Sequence, residues 1–90
     1  MVSKTVTIKN PSGIHARPAA VFVQCASGFE SAVTVRDVTK GGEAKDAKSI
    51  LIVMSLGMVC GDEIEISAAG ADEDAAVAAL VALVESGCGE

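Results

Sequence analysis

Apolar and polar residues alternate over three stretches of this chain and recur at helical spacing over two others. Val2, Val6 and Ile8 stand against Thr5, Thr7 and Lys9. That period of two, rich in β-branched residues, predicts a half-buried strand. Lys4 falls on the apolar parity, which suits a frayed or edge position. Val33 and Val35 alternate with Thr34 and Arg36, and Ile64, Ile66 and Ala68 with Glu63, Glu65 and Ser67, giving two further strands. Glu43–Asp46 is a weaker strand, placed by position more than by pattern.

Between these lie helical patterns. Ala16 to Ser27 offers Ala19, Ala20, Val23 and Ala26 as an inner stripe with Phe22 beside it, and Gly28 is placed to stop it. Ser49–Leu56 reads as a short helix with Ser49 as N-cap and Gly57 just past its end. Asp72 or Asp74 caps a last helix, where Val77, Leu80, Val81 and Val84 recur at i, i+3, i+4 and i+7 until Gly87. Asn10-Pro11-Ser12-Gly13 and Gly41-Gly42 mark turns. The order is β-α-β-β-α-β-α. Alternation on the strands implies one wet and one covered sheet face. The expected fold is α+β, a four-stranded antiparallel sheet with helices on one face, in a single domain over residues 1–90.

Composition narrows the function. The chain has 90 residues, half of them hydrophobic, with no Trp, no Tyr and two Phe. Its core must be built from small branched side chains. A net charge of −5, seven scattered basic residues and so few aromatics argue against nucleic acid, which asks for clustered cations and stacking rings. The longest apolar run, Ile50–Met54, falls far short of the ~18 residues of a membrane span. Cys25, Cys60 and Cys88 form no C-x-x-C and cannot all pair within one chain, which suits reduced thiols in a cytoplasmic protein. Cys88, flanked by Gly, is expected to be the exposed one.

The candidate chemistry gathers at one helix start. His15 is the chain's single histidine, followed by Arg17 and Pro18. A helix start leaves backbone N–H groups unpaired and carries about half a positive charge, so an anion is welcome there. Neutral imidazole is both a usable nucleophile and a leaving group. Arg meets two phosphate oxygens at once through its planar fork. Taken alone, such a histidine is more often a solvated helix-start residue, Arg17 a surface charge and Ser12 a turn residue. Motifs of hydrolases and nucleotide kinases are missing, and no carboxylate pair stands near His15. No metal-ligand set is evident, which disfavours a metallochaperone.

The block Gly13-Ile14-His15-Ala16-Arg17-Pro18-Ala19 closely resembles the active-site signature of the HPr family, the histidine-containing phosphocarrier proteins of the bacterial sugar phosphotransferase system. Lys48-Ser49-Ile50-Leu51-Ile52-Val53-Met54-Ser55-Leu56-Gly57 is similar to that family's regulatory-serine segment, and Gly70-Ala71-Asp72-Glu73-Asp74-Ala75-Ala76 to its approach to the final helix. The likeness runs along nearly the whole chain. It implies an open-faced β-sandwich and a cofactor-independent carrier that is itself no enzyme. His15 Nδ1 would take a phosphoryl group from phospho-enzyme I and pass it to enzyme IIA domains of sugar permeases. Arg17, Ser12 and the Ala16 backbone would steady the phosphate.

The resemblance also implies phosphorylation of Ser49 by a serine kinase, reversed by a phosphatase and read by a catabolite-control regulator. Ala20, Gln24, Ile50, Leu51 and Met54 are expected to form the partner-docking surface of a monomer, the alternative being that most of them are core. An adapter acting mainly through Ser49 is the alternative, against which the presence of His15 argues. In two places the chain departs from the family. Its connection between the second and third strands is longer, and Ile52 stands where Gly or Lys is frequent, so that Ile52 either fills the core or widens the apolar patch.

Overall fold

The computed structural model describes residues 1–88, so the last two residues of the expected domain lie outside the described residues. Its elements are β1 (Val2–Thr7), α1 (Arg17–Ser27), β2 (Ala32–Asp37), β3 (Lys45–Asp46), α2 (Ile50–Ser55), β4 (Glu63–Ala69) and α3 (Glu73–Glu85). The four strands form one antiparallel sheet in the order β1-β4-β2-β3. α3 lies across β1 and β4, α1 packs on α3, and α2 on α1 and β3. This is the expected α+β open-faced sandwich.

Side-chain alternation decides which face the helices cover. Val6 stands opposite Ile64, Val35 opposite Ile66 and Val33 opposite Ala68, and all six are buried. On the other face Ser3 and Ser67 share a hydroxyl hydrogen bond of 2.8 Å, and Arg36 Nε donates to Glu65 Oε1 at 2.9 Å. Phe22, Leu80, Val84 and Val53 close the core from the helix side. Burying each such side chain is worth about 1.5–3 kcal/mol. Among the described residues no helix is long and apolar enough to cross a membrane.

Several local expectations give way to tertiary packing. α1 turns Pro18, Ala19, Phe22 and Ala26 inward, while Ala20 is exposed and Val23 half-buried. Phe22, the bulkiest apolar residue available, takes the middle of the seam and rotates Ala20 out. Gly28 ends the helix without entering the left-handed region (φ −75°), its N–H bonding Cys25 O at 3.2 Å. β1 is an edge strand but is paired from Val2 onward, with Lys4 exposed opposite Ile66. β3 shrinks to Lys45 and Asp46, both exposed, because the first residue to reach the core is Ala47.

Cys88 is buried, contrary to expectation, at 1% exposure. Its N–H bonds Leu83 O at 2.9 Å, and positive φ at Gly87 and Cys88 folds the tail back onto the core. Cys60 is the exposed thiol. Asp72 stands at the N-cap of α3, yet its carboxylate caps no N–H there among the described residues. It turns instead to the start of β2, accepting from Glu30 N (2.9 Å), Ser31 N (2.9 Å) and the Ser31 hydroxyl.

Candidate functional site

In an antiparallel sheet ordered β1-β4-β2, the end of β1, the start of β4 and the end of β2 lie at the same edge. The connections 8–16, 38–44 and 56–62 therefore gather at one end of the molecule. His15 sits in the first of them.

Residues 10–13 form a closed turn. Gly13 N–H donates to Asn10 O at 3.0 Å, and Asn10 Nδ2 donates back to Gly13 O. Gly13 has φ +72°, and a Cβ there would lie 2.5 Å from Met58 O. Only glycine allows that approach without strain. The next residue, Ile14, is buried and donates its N–H to Met58 O at 2.9 Å. Ile8 N bonds Asp62 O and Gly61 N bonds Ile8 O, both at 2.9 Å. The His15 loop is thus stitched along the connection between α2 and β4. With Ile14 and Pro18 both buried, the three residues between them, His15, Ala16 and Arg17, are held at the surface and exposed.

Ala16 is the N-cap of α1, at φ 51° and ψ −118°. A residue with a Cβ held there costs about 1–3 kcal/mol. Alanine brings no side-chain acceptor to the helix start, and no acidic residue occupies the first turn. The first helical bond is Ala20 N–H to Ala16 O at 3.1 Å, and Pro18 has no N–H to give. Donors at Ala16, Arg17 and Ala19 consequently precede the helical ladder, at the positive end of the helix dipole. Beside the exposed imidazole and guanidinium, this arrangement can receive a dianionic group.

The remaining expected residues fall nearby. Ser12 is exposed on the turn, and Ala20 and Gln24 are exposed one turn apart on α1. Packing of α2 on α1 brings its residues to the same side. α2 buries Val53 alone, leaving Ile50 and Ile52 partly exposed, Leu51 79% exposed and Met54 half-buried. Ile52 thereby widens the apolar surface and does not fill the core. Val59, half-exposed between Gly57 and Gly61, was not anticipated from the hydrophobic pattern. The two glycines cut it off from any periodic element, which is the signal that exposes it. Ser49 is the N-cap of α2, but among the described residues its hydroxyl makes no capping bond.

A charged cluster on the same connection has no periodic signature in the hydrophobic pattern. Lys40 Nζ donates to Asp62 Oδ2, to Asp37 Oδ2 at 3.3 Å and to Gly57 O at 2.8 Å. Asp37 and Asp62 are both buried. The hydrogen bond to Asp62 pushes the Lys40 ammonium above its ordinary value, and the same bond holds the Asp62 carboxyl below the usual range. Asp37 follows Val33 and Val35 on the inward parity of β2, and a carboxylate on a core parity is the clue that it has a cation partner.

Comparison with known proteins fits this geometry. The family model described as "PTS HPr component phosphorylation site" matches residues 2–86. The phosphocarrier protein HPr of Treponema pallidum (strain Nichols) is 45% identical over 87 residues, covering 96% of this chain and 94% of that protein. A multiphosphoryl transfer protein of Vibrio cholerae is 38% identical over 86 residues, covering 96% of this chain but 22% of its own length. The crystal structure of HPr-C-His from Thermoanaerobacter tengcongensis superposes with a TM-score of 0.92 at 49% identity, over 100% of this chain and 98% of that one. An exposed histidine at a helix mouth, the open-faced sandwich and a match along nearly the whole chain converge, and the chain belongs to the HPr family, the phosphocarriers of the phosphotransferase system.

Proposed function

We propose that this phosphocarrier works through a covalent phosphohistidine at His15. The unprotonated Nδ1 attacks the phosphorus of phospho-enzyme I. The new N–P bond forms as the enzyme I N–P bond breaks, and the departing enzyme I nitrogen recovers its lone pair. The reverse geometry hands the group to an enzyme IIA domain. Arg17 and the N–H groups at the mouth of α1 receive the phosphate oxygens, with Ser12 beside them. Transfer through a loose transition state leaves positioning and charge stabilisation as the protein's main tasks.

The observation that carries this reading is the exposure of His15 and Arg17 at a helix start whose N-cap, Ala16, has no side-chain acceptor of its own. Incubation with phosphoenolpyruvate and enzyme I should give an acid-labile, alkali-stable adduct. His15→Ala should abolish it, and labelling retained in that variant overturns the assignment.

Ile50, Leu51, Met54, Ala20 and Gln24 serve as the shared docking surface for enzyme I and enzyme IIA. An exposed apolar cluster beside a reactive group suits a small transient interface, below about 1,200 Å², from which release is quick. Phosphorylation of Ser49 by a serine kinase would set about two negative charges at the edge of that surface and weaken docking. The carrier acts as a cytoplasmic monomer, one domain over residues 1–90. Ser49→Asp should raise the KM for enzyme I with the fold intact, and unchanged kinetics would remove the regulatory role.

A further inference from the structure

Lys40 belongs to the connection between β2 and β3. Its ammonium reaches three groups from three places in the fold: Asp37 at the end of β2, Asp62 just ahead of β4, and Gly57 O just past the end of α2. Asp37 is 1% exposed and Asp62 is buried as well, so the half-exposed Lys40 side chain closes over two buried carboxylates beside the connection 56–62. Asp62 has two further bonds to that connection, receiving Val59 N–H on Oδ2 at 3.3 Å and giving its own N–H to Val59 O at 3.0 Å.

The other side of the same connection carries the His15 loop. Met58 O receives Ile14 N–H, Asp62 O receives Ile8 N–H, and Gly61 N–H goes to Ile8 O. One short segment is therefore held by Lys40 on one side and holds the residue before His15 on the other. We propose that Lys40, fastened between Asp37, Asp62 and Gly57 O, is a positioning residue for phosphoryl transfer, setting the connection 57–62 against which the His15 loop is registered. The proposal rests on the reading of His15 as the phosphoryl acceptor. Lys40 touches neither phosphate nor partner in this role, and acts through Met58 and Asp62.

Two variants separate positioning from plain stability. Lys40→Met removes the ammonium and keeps the aliphatic stem, leaving two buried carboxylates without a cation. The triple variant Asp37→Asn/Lys40→Met/Asp62→Asn removes that charge conflict, and its Asn oxygens can still receive the backbone N–H of residue 40 and of Val59. Neither variant restores the tether to Gly57 O. Phosphorylation by enzyme I and phosphoenolpyruvate is followed for both beside the parent, with thermal unfolding of each.

The triple variant should regain the parent's melting temperature, while enzyme I phosphorylates it with a kcat about 10-fold down and a KM changed by less than about twofold. Amide exchange at Ile14 should remain faster than in the parent. If kcat recovers along with the melting temperature, Lys40 serves stability alone and the proposal is overturned. A folded Lys40→Met variant with the parent's kcat overturns it equally, with the carrier reading intact. Parent protein that takes no label on His15 overturns both.

Discussion

The backbone N–H of Ile14 donates to the carbonyl of Met58 at 2.9 Å, across a contact that leaves no room for a side chain at Gly13. A Cβ at residue 13 would stand 2.5 Å from that same oxygen and would require φ +72° of an L-residue. Gly13→Ala should therefore combine backbone strain of about 1–3 kcal/mol with displacement of the carbonyl that anchors Ile14. Urea unfolding is expected to show a lower midpoint at an unchanged slope, together with slower labelling of His15.

Ala16 gives the opposite expectation. Its φ of 51° with ψ −118° suits glycine, which pays no steric penalty there. Ala16→Gly should raise stability, since relief of about 1–3 kcal/mol exceeds the entropy glycine adds to the unfolded chain, about 0.5–1 kcal/mol. Phosphoryl transfer should not improve in parallel, because the freed backbone no longer presents its N–H in one fixed direction. Denaturant titration and transfer kinetics on the same variant test the two halves separately.

Ser49 occupies an N-cap position without, among the described residues, making a capping bond. Removing a working cap typically costs about 1 kcal/mol. Ser49→Ala should cost well under that, no more than about 0.5 kcal/mol. A full loss on thermal unfolding would mean that the hydroxyl caps α2 in solution.

Asp72 ties the start of α3 to the start of β2. The Ser31 hydroxyl, and then the Glu30 N–H, hold its carboxyl below the usual aspartate range. A lowered folded-state pKa contributes stability that is complete above the unfolded value, about 3.9, and disappears as pH falls through the folded value. Asp72→Asn should accordingly melt below the parent at pH 7, and the gap should close as the pH drops beneath 4. Melting curves between about pH 2 and 7 test the sign.

The three cysteines should react in a fixed order. Cys60 is exposed, Cys25 is half-buried with its thiol pushed up by burial, and Cys88 is buried. A disulfide reagent at neutral pH should modify Cys60 first and Cys88 only on unfolding. Mass mapping of the partly labelled protein reads the order directly.

What was legible beforehand divides along physical lines. β4 could be placed because Ile64, Ile66 and Ala68 alternate with polar neighbours, a local pattern that survives in its pairing with both β1 and β2. The His15 site could be found because its parts are contiguous in the chain. The facing of α1 is not legible at Ala20, since four apolar positions of similar weight leave the helix phase open until Phe22 is buried in the core. Cys88 was misplaced because its burial depends on two successive positive-φ residues that composition does not announce. The Lys40 cluster joins residues 37, 40, 57 and 62, and no periodicity links them.

The edge strand β1 begins at Val2 and runs toward the His15 loop, so Met1 lies at the opposite end, where its amine meets Glu73 Oε2 at 3.3 Å. Six strand residues separate the two ends by about 20 Å. A purification tag, dye or tethered neighbour attached ahead of Met1 would thus emerge on the side remote from the imidazole. Such an attachment would cost the contact with Glu73 while leaving the reactive face unobstructed for incoming proteins.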